Sequence, residues 1–242
     1  MLNILNKKKK NVKKSLTTKR GLLKELELYK KKTYILIGFL LILIIFIVIH
    51  FLTSYHGPKE VKVINHVLDD NYVFLGDSIT SGYDLNKYYE NYPVVNSGVS
   101  GYKTQDILDR MENMVYRYNP SKVFILIGTN DIQDKKDKEY IINNIEKIIS
   151  NIKENRKYTE IYIESIYPIN SNKIKNRSNE FINELNVEIK RLCKEHKIKY
   201  IDIHTLLLDE NGELDKKYSD DGLHIKKEGY EIITEEIKKY MN

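Results

Sequence analysis

The sequence predicts an α/β domain, a five-stranded parallel sheet covered by helices on both faces, preceded by one transmembrane helix. Three observations predict it. From residue 72 onward, short apolar runs alternate with stretches in which apolar residues recur every three or four positions. The apolar runs are nearly continuous, as expected of strands buried on both faces. Upstream, residues 34–52 contain no Asp, Glu, Lys or Arg and are almost all Ile, Leu, Phe and Val.

Residues 1–33 carry twelve Lys and Arg against Glu25 and Glu27, a net of +10. The 242-residue chain is +6, so the remainder is −4 and mildly acidic. The basic character therefore belongs to the tail, which argues against a nucleic-acid-binding domain downstream. Residues 34–52, at 1.5 Å per helical residue, span about 28 Å, close to the hydrocarbon thickness of a bilayer. The chain has no alanine, so an A-x-A cleavage site is excluded, and the segment reads as an uncleaved signal anchor. The positive-inside rule places the tail in the cytoplasm and residues 53–242 outside. Residues 53–71 read as a stalk; a flexible chain of that length spreads about 24 Å.

Residues 72–242 form the expected globular domain. Strands are expected at 72–77, 93–97, 122–128, 160–167 and 199–204. Helices are expected at 104–118, where Ile107, Leu108, Met111, Met114 and Val115 share one face, and at 137–154, 177–196 and 226–241. Right-handed crossovers then bring the strands into one parallel sheet. The single cysteine, Cys193, lies on an expected helix and reads as a small core residue.

Ligands of such folds bind beyond the carboxyl ends of the strands, and the polar clusters fall there. Gly76-Asp77-Ser78 ends the first strand, Asn96-Ser97-Gly98-Val99-Ser100-Gly101 the second, and Gly128-Thr129-Asn130-Asp131 the third. Asp220-Asp221-Gly222-Leu223-His224 follows the fifth. Acyl transfer needs a nucleophile, a base and donors for a developing oxyanion. Ser78 supplies the hydroxyl and His224 the base. Asp221 or Asp220 is placed to orient the imidazole. The N–H groups of Ser78 and Gly101 and the amide of Asn130 are candidate oxyanion donors, with Gly98 an alternative to Gly101. Asp77 and Asp131 read as loop-bonding residues. Tyr83 and Tyr102 are candidate pocket residues. No clustering suggests a metal site, and no cofactor is expected.

Gly76-Asp77-Ser78-Ile79-Thr80, the Gly101 loop, Gly128-Thr129-Asn130-Asp131 and Asp221-x-x-His224 resemble, in order, the four blocks of the SGNH (GDSL-type) hydrolases. The resemblance implies a flavodoxin-like three-layer αβα fold and metal-independent ester hydrolysis. It carries over Ser78 as nucleophile, Asp221 and His224 as the remaining triad members, and Gly101 and Asn130 as oxyanion donors. Gly76-Asp77-Ser78-Ile79-Thr80 is not G-x-S-x-G, so an α/β-hydrolase nucleophile elbow is unsupported.

The resulting expectation is a membrane-anchored extracellular esterase acting on acyl, above all O-acetyl, esters of cell-wall or surface glycans. An acyltransferase working with a multi-span membrane partner is the alternative, with a lipid esterase third and a non-catalytic binding module fourth.

Overall fold

A computed structural model describes residues 71–241 without interruption, together with residues 21–23, 26–27, 29–34, 36–41 and 43–48. The expected stalk, apart from Asn71, lies outside the described residues, as do most of the basic tail and residues 49–52 of the expected span. Helix α1 (Tyr29–Val48) has a mean hydropathy of 2.3 and is long and apolar enough to cross a membrane.

The second unit is built on five parallel strands in the order β2-β1-β3-β4-β5. These are β1 (Tyr72–Gly76), β2 (Val94–Gly98), β3 (Lys122–Leu126), β4 (Glu160–Glu164) and β5 (Lys199–Ile201). The expected α/β class and strand number hold. Most strands end earlier than their apolar runs, because the chain leaves the sheet to build the loops of one edge. The run 122–128 stops at Leu126, and Gly128 then adopts φ 126°, where a side chain is strained.

Period-two alternation sorts the strand residues between two cores. Val73, Leu75, Val123, Ile125, Ile161 and Ile163 face α7 (Lys138–Asn155) and α8 (Asn179–Glu195), whose Ile145, Ile148, Ile149, Leu185 and Ile189 complete that layer. Phe74, Phe124 and Tyr162 stack on the other face with centroids 4.8 and 4.7 Å apart. There they meet Ile233 and Ile237 of α9 (Lys227–Lys238). The long helices start where capping side chains permit: Asp137 accepts from Tyr140 N at 2.7 Å and Ser178 from Phe181 N at 3.3 Å. Cys193 is buried in the first core, and burial pushes its thiol up to about 12.

The expected single helix over 104–118 is corrected. It is broken into α4 (Thr104–Leu108), α5 (Met111–Met114) and a 3₁₀ turn at Tyr116–Tyr118. Arg110 leaves the helical region at φ −131°, ψ 21°. Ser97 Oγ of β2 donates to the Met114 carbonyl at 2.8 Å, giving that group a partner outside the helix. The break still buries Ile107, Met111, Met114 and Val115, so the apolar spacing is satisfied without a continuous helix. Short helices α2 (Ser78–Ser81), α3 (Leu85–Tyr88) and α6 (Thr129–Gln133) carry too few residues to register as periodicity.

Two carboxyl groups are buried near the carboxyl ends of β1 and β4. Glu164 accepts a hydrogen bond from the Tyr167 hydroxyl, yet burial pushes it up to about 7. Burial likewise pushes Asp77 up to about 6, despite its hydrogen bond from Ile79 N. Both carboxyls therefore hold a proton in the folded chain over a range where the unfolded chain has released it. Their contribution to stability is complete below the unfolded pKa and is lost as pH rises through the folded one. Stability should thus fall between about pH 4 and 7. Glu164→Gln, which keeps an acceptor for Tyr167, should flatten the upper part of that slope and raise stability at pH 8. Urea midpoints of both proteins at pH 5, 6 and 8 check this; parallel profiles would contradict it.

Candidate active site

The four polar clusters meet at the carboxyl edge of the sheet. β1 ends at Gly76, and Asp77 Oδ1 accepts from Ile79 N at 2.9 Å, which turns the chain into α2. Ser78 is the first residue of α2, so its N–H has no partner four residues back. Val99 N donates to Gly76 O at 3.1 Å and draws the second cluster against the first.

Two glycines in that second cluster do different jobs. Gly98 is buried at the end of β2, where a Cβ would lie 2.3 Å from the Ser81 nitrogen. Its own N–H donates to Asn96 Oδ1 at 2.9 Å. Gly101 is exposed at φ 81° with open space around it, and among the described residues no acceptor takes its N–H. Of the two candidates, Gly101 is the one with a donor available.

The third cluster supplies Asn130, buried in the first turn of α6. Its Nδ2 donates to Tyr102 O at 3.0 Å, joining it to the loop just past Gly101. Beside it, the buried Asp131 accepts from Thr104 N at 3.0 Å and Thr104 Oγ1 at 2.6 Å, pinning the start of α4. Burial raises the Asp131 pKa above the ordinary value against the pull of those hydrogen bonds.

The fourth cluster is a tight loop ordered by Asp221. Oδ1 accepts from Leu223 N at 2.9 Å and His224 N at 2.8 Å, and Oδ2 lies 2.6 Å from His224 Nδ1. Burial pushes this carboxyl up, but the hydrogen bonds from the His224 ring and the two N–H groups outweigh it and hold the pKa at about 2. Asp221 is thus an anion that only accepts, which places the ring proton on Nδ1. Nε2 is left as the acceptor, and it lies 3.0 Å from Ser78 Oγ, 146 residues away in the chain. Asp220 points elsewhere: its Oδ1 accepts from Lys226 Nζ at 3.1 Å, and its carbonyl takes Lys173 Nζ. A serine hydroxyl bonded to an imidazole, itself bonded to a carboxylate, can be deprotonated while it attacks an electrophilic carbon.

One expected pocket residue is corrected. Tyr83 lies in the core, its ring stacked on Tyr230 at 4.5 Å and its hydroxyl bonded to Tyr89 at 2.8 Å and to Thr234. An aromatic ring buried on one sheet face cannot also line an open edge. Tyr102 remains part-exposed at that edge, and its carbonyl positions Asn130.

Arg177, the first residue of the helix expected over 177–196, carried no signal of a place in the site. It is half-buried between the strand ends. Its Nε donates to Thr129 O at 2.9 Å and Oγ1 at 3.1 Å, and its Nη2 to Asn130 Oδ1 at 3.2 Å and Gln133 Oε1 at 2.6 Å. The available clue was position alone: a lone arginine in the loop after β4, on the edge that carries the chemistry.

Residues 74–232 match the GDSL-like Lipase/Acylhydrolase family. A solved structure described as a putative platelet activating factor from Streptococcus pneumonia superposes with a TM-score of 0.69 and 32% identity, covering 74% of this chain and 87% of that one. A GDSL-like lipase from Bacteroides thetaiotaomicron gives a TM-score of 0.63 and 26% identity, covering 71% and 87%. An N-acylneuraminate cytidylyltransferase from Escherichia coli O18:K1:H7 is 30% identical over 167 residues, 67% of this chain. This chain spans 38% of the length of that curated relative.

The two glycines of the second cluster make a paired prediction. Gly98→Ala forces backbone against backbone, which no side chain can relieve, and should cost about 1–3 kcal/mol of stability. Gly101→Ala meets only the penalty for positive φ, about 1–2 kcal/mol at most. Thermal unfolding of both variants checks the order. A Gly98→Ala protein as stable as wild type would contradict the close approach of β2 and α2.

Proposed function

The chain belongs to the GDSL-like lipase/acylhydrolase family, and from that we propose a serine esterase that removes O-acetyl groups from cell-wall or surface glycans, with Ser78, His224 and Asp221 as its triad. The observation that carries this reading is the hydrogen-bonded chain from Ser78 Oγ to His224 to Asp221. Ser78 Oγ attacks the ester carbonyl carbon while Nε2 takes its proton. The negative charge that develops on the carbonyl oxygen is met by the N–H groups of Ser78 and Gly101 and the amide of Asn130. Collapse breaks the C–O bond to the sugar, and His224 returns the proton to the leaving alcohol. Water, deprotonated by His224 in turn, then releases the acyl group and restores the serine.

Two features favour a short acyl group on a polar carrier. The His224 and Asp221 side chains are about half exposed, at 49% and 54%, so a bulky alcohol can approach from solvent. The groups beside Asn130 are polar: Arg177, Gln133 and the Lys103–Asp134 ion pair at 2.9 Å. Location is part of the proposal. The +10 charge of residues 1–33 before an apolar helix favours a cytoplasmic N-terminus and an external catalytic unit.

Purified protein should release acetate from wall material and hydrolyse a short-chain chromogenic ester, and Ser78→Ala should abolish both. Full activity in that variant would sink the proposal. Asp221→Asn should lower kcat by about 10⁴-fold and Asp220→Asn by less than about threefold. Protease added to intact cells should digest the catalytic unit and spare the N-terminal tail; the reverse pattern would overturn the orientation.

A further inference from the structure

The amide of Asn130 is held by two partners, each able to bond it in one sense only. Tyr102 O accepts and cannot donate, and it faces Nδ2 at 3.0 Å. The Arg177 guanidinium donates and cannot accept, and its Nη2 faces Oδ1 at 3.2 Å. Flipping the amide would set NH₂ against guanidinium and carbonyl against carbonyl, losing both bonds and creating two repulsions. The Nδ2 group carries two hydrogens; Tyr102 takes one, and among the described residues nothing takes the other.

Arg177 is itself fixed by neutral groups. Its acceptors are Thr129 O, Thr129 Oγ1, Asn130 Oδ1, Gln133 Oε1 and Asn176 Oδ1; among the described residues no carboxylate bonds to it directly, and Asp77 and Asp134 act on it only through space. Four of the five come from α6, so the planar fork is clamped along the helix that bears Asn130. A half-buried cation whose direct bonds all go to dipoles acts most strongly on those dipoles, and one of them is the amide of the oxyanion donor. Donation from a cation to Oδ1 polarises the amide and makes its N–H a stronger donor.

We infer that Arg177 is the positioning residue for the oxyanion site: it locks the Asn130 amide in one orientation and strengthens its free N–H toward the developing negative charge. This inference rests on the proposed esterase reading, since Arg177 acts only through Asn130. Its contribution appears when charge develops on the carbonyl oxygen and is small for the neutral bound ester. The loss therefore falls on kcat and leaves KM nearly unchanged.

The test is a double-mutant cycle on the full chain, with a short-chain chromogenic ester as substrate. Asn130→Ala should lower kcat by about 10²–10³-fold. Arg177→Met should lower it by about 30-fold or more with KM moved by less than about threefold. Arg177→Met placed on Asn130→Ala should add less than about threefold, because the residue it serves is gone. A loss from Arg177→Met that multiplies fully in the double variant means that Arg177 only packs the loop, and overturns the inference. Should Arg177→Met fail to fold, Arg177→Lys carries the same cycle. It keeps a cation but cannot serve Thr129, Asn130 and Gln133 together, so its expected loss is about tenfold and equally non-additive. Hydrolysis that Ser78→Ala abolishes and both arginine variants leave intact removes this inference alone. Hydrolysis independent of Ser78 removes the esterase reading and this inference with it.

Discussion

Parallel pairing in one register is the constraint on which the rest of this domain depends. β1 lies between β2 and β3, with Gly76 opposite both Gly98 and Leu126. Because all strands run the same way, every exit loop lands on one edge, and clusters separated by up to 146 residues in sequence come within hydrogen-bond distance. The pairing also sets how close the loops can come. At the end of β2 the backbone of α2 approaches so tightly that only glycine fits at position 98. That contact seats the end of α2 on β2, and α2 is the short helix that begins with Ser78.

The polar residues at this edge are divided by environment. Asp77 and Glu164 are buried behind the site and hold protons at pH values where ordinary carboxyls are charged. Asp221 sits at the surface among N–H donors and stays an anion down to about pH 2. The carboxylate beside the imidazole is thus charged throughout the neutral range, while those behind the serine switch charge near neutrality. The difference arises from solvent and hydrogen bonds, because residue type is nearly the same in all three. Arg177 extends the pattern: a cation whose hydrogen bonds among the described residues all go to neutral groups, next to the amide of Asn130.

Much of the fold was legible in the sequence, for reasons visible in particular elements. The runs at Tyr72–Gly76 and Lys122–Leu126 are buried on both faces, so their continuity signals strand without ambiguity. α7 and α8 each keep one apolar stripe over four or more turns. The segment 104–118 has the same spacing and yet is broken, because periodicity records which residues are buried and not whether the backbone between them continues. The four-residue helices α2 and α3 lie below the length at which any period can be read.

By itself, the sequence determined the α/β class, the strand number, the apolar N-terminal helix and the residues able to meet at the carboxyl edge. These follow from local composition and period, which each segment carries alone. Only the tertiary structure decided which candidates have free partners. It set Asp221 against His224 and Asp220 against Lys226, put Gly98 in a backbone contact and left Gly101 open. It moved Tyr83 into the core and brought Arg177 to Asn130. Each of those outcomes is a distance between segments far apart in the chain, and such distances exist only once the sheet has closed its register.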